Sequence, residues 1–356
     1  VGSEMCIRDS SNSMRKNISI LSVLLCFLCS GYIYAAEPVS GYMGIPRMKV
    51  IIDNDFCGDP DGYFQLVHHL LSPSLDIRGI IGSHLKQGVG FTDRVDSAVE
   101  SCEKAESILN LMGLSGKYKV CAGSNEPMDN PEIPKESAGV ELIIREAMQA
   151  TPETPLYILC GGPLTNIASA WLKQPEIAER IILVWIGGQE YKEGAVPPPG
   201  YSPVEYNLAL SVSAAQTIFN KSNIRLWQIP RDAYRQCIYS VAEMHAYIRP
   251  CGKIGRFLSD SIDNLMEALN NDGDYMGEVY IMGDSPLVLL TALQTGFEAD
   301  PASSAYVSVQ APCVADDGSY RYNPDGRVIR VYTRLDTRLM FEDFNAKLRN
   351  KYMSNL

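Results

Sequence analysis

Short apolar runs alternate with amphipathic stretches along most of this chain. The run 48–53 is compact and apolar, and 62–71 follows with apolar residues at helical spacing. The same alternation continues with strand-like runs at 75–83, 119–123, 156–162, 181–188 and 224–229. Helical patterns lie between them at 92–114, 138–150, 165–173 and 214–220. Continuous apolar strands separated by amphipathic helices predict an α/β fold. Its sheet would be open, mostly parallel and Rossmann-like, with helices on both faces. The tail adds 307–309 and 328–332, expected as an appended hairpin, and a last helix near 341–350. Pro197-Pro198-Pro199-Gly200 marks a loop inside the domain rather than a linker.

In folds of this kind the binding crevice lies beyond the carboxyl ends of the strands. That rule places the polar segments. Asp53–Asp61 follows the first strand, Ser83-His84 the second, and Gly161–Asn166 and Gly187–Glu190 later ones. All would share one rim of one sheet.

The N-terminal part is read separately. Residues 1–13 carry no usable pattern and are set aside as an artefactual leader. From Met14, M-R-K-N precedes an apolar run ending in A-A, the layout of a secretory signal over 14–36 cleaved near Ala36. The expected product, 37–356, is one domain in a secreted or periplasmic location. Residues 1–36 hold Arg8, Arg15, Lys16, Glu4 and Asp9, so the 31 basic and 42 acidic residues become 28 and 40, a net charge near −12. An acidic chain without basic clusters argues against a nucleic-acid partner. Seven cysteines remain at irregular spacing, which is not a disulfide framework. An oxidising compartment would allow Cys102–Cys121 or Cys237–Cys251 to pair.

The densest chemistry is I-I-D-N-D-F-C-G-D-P-D-G, residues 51–62, with four aspartates in nine positions. Carboxylates this close repel one another unless a cation sits among them. Oxygen donors suit Ca²⁺ or Mg²⁺. The bland alternative is a solvated turn with aspartates at turn positions.

This segment resembles the N-terminal D-x-D-x-x-x-D-D of the nucleoside hydrolases, the inosine–uridine preferring ribohydrolases. Asp53, Asp55 and Asp59 match; Pro60 stands at the eighth position and Asp61 comes one residue later. A secreted nucleoside-hydrolase-like subgroup carries G-D-P-D-D, and this chain is similar to it, with Gly62 at the last Asp. G-G-P-L-T-N-I-A (161–168) resembles the family's G-P-L-T-N, implying that the Thr165 main-chain carbonyl binds metal. I-G-G (186–188) and V-E-Y-N-L resemble its M-G-G and E-F-N, implying ribose contacts by Glu205 and Asn207. M-G-D-S-P (282–286) resembles its H-D-P, making Asp284 a metal ligand. The family histidine before that aspartate is Gly283 here, and the family Asn before the E-F-N segment is Pro199.

The resemblance implies a Ca²⁺-dependent hydrolase that cleaves the N-glycosidic bond of a nucleoside or riboside, with a possible homo-oligomer. Asp55 would be metal ligand and general base. Asp59 and Asp61 would share metal and ribose-diol contacts, in an order the Pro60 insertion leaves open. Asp53 reads as structural, holding the loop. Among the histidines, His84 is on the aspartate rim and is the catalytic candidate. His68 and His69 read as packing or surface residues, and His245 as part of a segment that could fold over the pocket. Tyr63, Tyr191 and Tyr201 are further polar or stacking candidates, and Trp185 reads as core. Two rivals stand beside this reading. One is a catalytically impaired binding protein on the same fold. The other is a haloacid-dehalogenase-like phosphatase, suggested by Asp53/Asp55 and Gly283-Asp284.

Overall fold

The computed structural model describes residues 46–86, 91–192, 194–274, 277–294 and 303–353. The expected leader and signal segment lie outside these residues. Six strands come first: β1 (Met48–Asn54), β2 (Leu75–Gly82), β3 (Val120–Ala122), β4 (Leu156–Cys160), β5 (Ile181–Ile186) and β6 (Arg225–Ile229). Helices α1 (Asp61–Leu70), α2 (Ser97–Leu111), α3 (Ala138–Met148) and α4 (Thr165–Lys173) separate the earlier ones. Short helices α5 (Tyr206–Leu210) and α6 (Val212–Gln216) precede β6, and α7 (Arg231–Tyr234) follows it. Then come β7 (Ile238–Ser240), α8 (Val241–Glu243), α9 (Gly252–Asn271), β8 (Val279–Ile281), α10 (Pro286–Leu289), β9 (Ala305–Gln310), β10 (Cys313–Val314), β11 (Tyr320–Arg321), β12 (Val328–Arg334) and α11 (Thr337–Tyr352).

The main sheet has the order β3-β2-β1-β4-β5-β6-β12-β9. Its pairings are parallel except β12 with β9. The tail strands therefore form an antiparallel pair, as expected, but not an appendage. Arg330 and Val331 of β12 pair in parallel with Trp227 and Gln228 of β6, so the pair extends the sheet.

Strand alternation splits the apolar residues between two cores. On β5, Ile182, Val184 and Ile186 face one core, and Ile181, Leu183 and Trp185 face the other. The first core takes residues from α1, α2, α9 and α11; the second takes residues from α3, α4 and α6. Helix α9 was not among the expected elements. Its signal is present, because Ile254, Leu258, Ile262 and Met266 recur every four residues and are buried. The last helix begins earlier than expected because Asp336 caps it, accepting the Leu339 N–H at 2.9 Å.

All seven cysteines among the described residues are free thiols. Neither expected pairing forms: Cys251 donates its thiol to the Tyr247 carbonyl at 3.1 Å, and Cys102 packs against the backbone of Gly82. No helix among the described residues is long and apolar enough to cross a membrane.

The strand order reverses beside β1, which pairs with β2 on one side and β4 on the other. This is where a doubly wound sheet opens a crevice. The crevice depends on close packing at Gly82, where a methyl group would lie 2.6 Å from the Ala98 carbonyl and 2.7 Å from the Cys102 amide. Both are backbone atoms of α2 that cannot swing away. Gly82→Ala is expected to lose about 1–3 kcal/mol of stability, read by urea denaturation. An unchanged midpoint would contradict this packing.

Candidate active site

Two loops meet at the β1–β4 crevice. The first leaves β1 at Asn54 and enters α1 at Asp61, with Pro60 as the capping residue. Pro60 is thus no disruption. It closes the loop so that Asp61 becomes the first helical residue, where an acidic side chain suits the helix N-terminus. The second loop leaves β4 at Cys160 and enters α4 at Thr165, with Leu164 rather than Thr165 or Asn166 as its cap. The loops touch where glycine leaves room. A methyl group on Gly161 would meet the Asn54 side chain at 2.6 Å, and one on Gly162 would lie 3.2 Å from the Asp55 carboxyl carbon.

Each aspartate has a distinct setting. Asp53 is fully buried and accepts hydrogen bonds from the Ser83 hydroxyl and from Asn166 Nδ2, at 3.1 Å in the latter case. It ties β1, β2 and α4 together, so its structural role comes from side-chain donors rather than the backbone. Burial pushes its carboxyl up to about 6. Asp59 accepts from the Tyr280 hydroxyl at 2.8 Å. Asp61 accepts from the Asp284 main-chain N–H at 2.9 Å. Asp284 in turn accepts from Asn54 Nδ2 at 2.8 Å. The β8 segment therefore fixes both carboxylates that flank Pro60.

Asp55, Asp61 and Asp284 are all held well above the usual carboxylate range, first by burial; the charges of Asp284 and Asp59 add to this at Asp55 and Asp61, and those of Asp59 and Glu205 at Asp284, where the Asn54 hydrogen bond opposes it. Among the described residues, no basic side chain forms an ion pair with these groups, although surface carboxylates elsewhere have Arg or Lys partners. Gly62 belongs to the same economy. A side chain there would point at Asp284 Oδ2, 3.4 Å from its Cβ, so a further carboxylate would add directly to the crowding.

The sugar-contact candidates come from the opposite side of the crevice. Glu205 caps α5 and is almost fully buried. Its Oε2 accepts the Gly188 N–H at 2.7 Å and the Leu208 N–H at 3.1 Å. Gly188 must be glycine: its φ is +85°, and a methyl group would collide with Tyr320 and Gln228. Asn207 donates Nδ2 to the carbonyls of Ile186 at 2.8 Å and Gly161 at 3.2 Å, joining the ends of β4 and β5 and leaving its Oδ1 for another donor. Tyr206 lies between them, is 41% exposed, and feels the charges of Asp55 and Asp59. It went unremarked in the sequence because its neighbours carried the motif.

The structure brings Asp55, Asp59, Asp61, Asp284, Glu205 and Asn207 around one crevice. It does not bring His84 to the carboxylates. That ring is wholly buried, its Nε2 lies 2.8 Å from the Thr165 hydroxyl, and burial lowers its pKa to about 4. A neutral, solvent-shielded imidazole is poorly suited to proton donation, and its contact serves Thr165 instead. His68 pairs with Asp343 at 2.8 Å, and His69 bonds Gln65; both are buried packing residues. His245 bonds Asp263 at 2.9 Å and lines another cavity, of about 550 Å³, with Met266, Glu267 and Glu278. Trp185 is core, and its indole N–H donates to the Gly162 carbonyl at 3.0 Å, steadying the second loop. Tyr63 packs on Phe257, Tyr191 donates to Gln228 at 2.7 Å, and Tyr201 is exposed beneath the Arg235 guanidinium, 4.3 Å away.

Among the described residues no three His, Cys, Asp or Glu groups stand at mutual metal-ligand spacing. The candidate donors are nonetheless all oxygen, buried or half-buried, and without a basic counter-charge among the described residues, which is the composition that suits a hard cation.

The structure is a doubly wound α/β sheet with a carboxylate cluster at its strand reversal, and comparison with known proteins identifies the family. The family profile described as inosine-uridine preferring nucleoside hydrolase matches residues 50–342, and this chain belongs to that family, whose members act on N-glycosyl bonds. An uncharacterised Schizosaccharomyces pombe protein is 28% identical over 235 residues, 58% of this chain and 69% of its own length. The Crithidia fasciculata inosine-uridine preferring nucleoside hydrolase is 36% identical over 94 residues, 26% of this chain and 27% of its own. This chain thus aligns with about a quarter of that curated relative. Among solved structures, the purine-preferring ribonucleoside hydrolase of Gardnerella vaginalis superposes with a TM-score of 0.66 at 20% identity, over 85% of this chain and 99% of that one. The inosine-uridine preferring nucleoside hydrolase of Bacillus anthracis gives 0.62 at 16%, over 85% and 99%. These superpositions agree with the fold, and the family match displaces the phosphatase alternative.

The Asp53 network yields a direct prediction. Asn166→Ala removes a donor to a buried carboxylate and the Oδ1 acceptor of the Ser124 N–H. Its expected loss is about 1–3 kcal/mol in chemical denaturation. A loss below a few tenths would show that the network is not holding the loops.

Proposed function

We propose that this protein hydrolyses the N-glycosidic bond of ribonucleosides or related ribosides, using a divalent cation, Ca²⁺ by preference, at the crevice between β1 and β4. One observation carries the reading: buried Asp61 and Asp284 stand with half-buried Asp55, each raised by burial and by neighbouring carboxylate charge, with no basic partner among the described residues. Uncompensated burial of this kind costs several kcal/mol per charge and is relieved by a ligand that brings positive charge. Asp55, Asp59, Asp61, Asp284 and the Thr165 carbonyl are the residues that would hold the ion. Bound there, it would acidify and orient the attacking water.

The residues themselves supply the rest. Asp55 is the general base, its carboxyl standing next to the loop at Gly162. Asp61, oriented by the Asp284 N–H and in side-chain contact with Asp59, is assigned to the ion. Asp59, oriented by Tyr280 on a separate element, is assigned to the sugar diol. Glu205 and Asn207 hold the remaining sugar hydroxyls. His84 is assigned to positioning Thr165 and not to proton donation. The signal-like segment 14–36 supports a secreted or periplasmic location, with small-molecule ribosides rather than nucleic acid as partners.

Two outcomes are expected. Asp55→Asn should lower ribose release from inosine or uridine by a factor of about 10² or more, with the melting temperature unchanged or raised because one buried charge is gone. Turnover surviving that change would remove Asp55 from its role. The second outcome concerns pH. Carboxylates whose folded values are raised stabilise the metal-free fold below the unfolded value of 3.8, and this contribution is lost as pH rises through their folded values. Because the ligands must be ionised to bind, Ca²⁺ is expected to raise the melting temperature more at pH 8 than at pH 5. At one hundred times its dissociation constant the stabilisation is about 2.7 kcal/mol. Equal shifts at both values would place the ion elsewhere.

A further inference from the structure

Glu205 faces the carboxylate cluster closely enough to add to the charge felt by Asp284. A flexible carboxylate in that field would swing away or take up a proton. Its Oε2 is fixed by two main-chain N–H groups, Gly188 and Leu208. Its Oε1 accepts from the Tyr234 hydroxyl at 3.0 Å, the one side-chain donor to this carboxylate among the described contacts, and the Asn207 main-chain N–H also bonds the carboxylate.

Tyr234 is itself held by the same rim. It ends α7, which follows β6, and its N–H donates to the Pro230 carbonyl at 3.0 Å. Arg231, at the start of α7, donates its main-chain N–H to the Gly188 carbonyl at 2.9 Å and forms a buried two-pronged pair with Glu190 at 2.6 Å. Gly188 thus anchors both partners, giving its N–H to Glu205 and its carbonyl to the helix that carries Tyr234. The geometry also accounts for Gly283. This residue is not among the left-handed glycines, so its backbone does not demand glycine. A Cβ there would stand 3.3 Å from the Tyr234 ring and 3.3 Å from Asp61 Oδ2. The tyrosine ring fills the space that a side chain at 283 would need.

We infer that Tyr234 is the positioning residue for Glu205, locking Oε1 so that its remaining lone pair is presented to a sugar hydroxyl. The inference rests on the reading of Glu205 as a ribose contact. A hydroxyl remote from the reacting bond is held alike in ground and transition states, so losing its alignment raises KM more than it lowers kcat.

The test uses Tyr234→Phe, Glu205→Gln and the double variant, each in the full chain with Ca²⁺. Two readouts are combined: inosine and uridine kinetics, and calorimetric binding of D-ribose. Tyr234→Phe is expected to raise KM and the ribose dissociation constant five- to twentyfold, with kcat within twofold and the fold intact. In the Glu205→Gln background the same change is expected to add less than twofold, since the partner is already altered. Equal ribose affinity in Tyr234→Phe and wild type, or full additivity of the two changes, overturns the assignment. Ribose binding without hydrolysis of either nucleoside overturns the nucleosidase reading and leaves the Tyr234 result standing. Absence of both ribose binding and nucleoside hydrolysis in the wild type overturns both.

Discussion

The constraint on which this site depends is electrostatic. Four carboxylates at one strand reversal, three of them raised well above their ordinary range, cannot all ionise comfortably so close together. Protein scaffolding can only divide the problem. Tyr280 takes Asp59, the Asp284 N–H takes Asp61, and Asn54 takes Asp284. Each contact fixes an oxygen without adding a formal positive charge, and among the described residues no basic side chain pairs with the cluster.

The surrounding architecture accommodates that crowding. Glycines stand wherever the two crevice loops approach each other, because any side chain at 161 or 162 would push Asn54 or Asp55 out of line. Asp53, one strand residue earlier, is excluded from the cluster and bound by Ser83 and Asn166, so it clamps the loops instead of adding to the repulsion. Across the crevice Glu205 is held by main-chain N–H groups and a tyrosine, again without a basic residue.

Much of this was legible in the residue pattern. The apolar runs marked the six parallel strands, the rule for doubly wound sheets placed the aspartates and Thr165 on one rim, and the family resemblance added Glu205. Motif order and spacing located Asp284, more than two hundred residues from Asp55. What the pattern hid was tertiary. Helix α9 was missed although its four-residue apolar repeat was present, and the tail strands were taken as an appendage because pairing with β6 leaves no local signature. His84 was placed on the rim correctly by its position after β2, yet nothing in its sequence neighbourhood revealed that it turns inward onto the Thr165 hydroxyl. Pro60 was read as a break in register, whereas it caps α1 and sets Asp61 as the first helical residue. Tyr234 carried no motif at all; its meaning comes from its tertiary hydrogen bond to Glu205 and its packing beside Gly283.

The central claim is that the cluster takes up one divalent cation. Calorimetric titration of chelator-treated protein with CaCl₂ measures this directly, with Asp284→Ala as the comparison. One equivalent bound per chain by the wild type, and its loss in the variant, is the predicted result. Failure of the wild type to bind, or undiminished binding by Asp284→Ala, would contradict it.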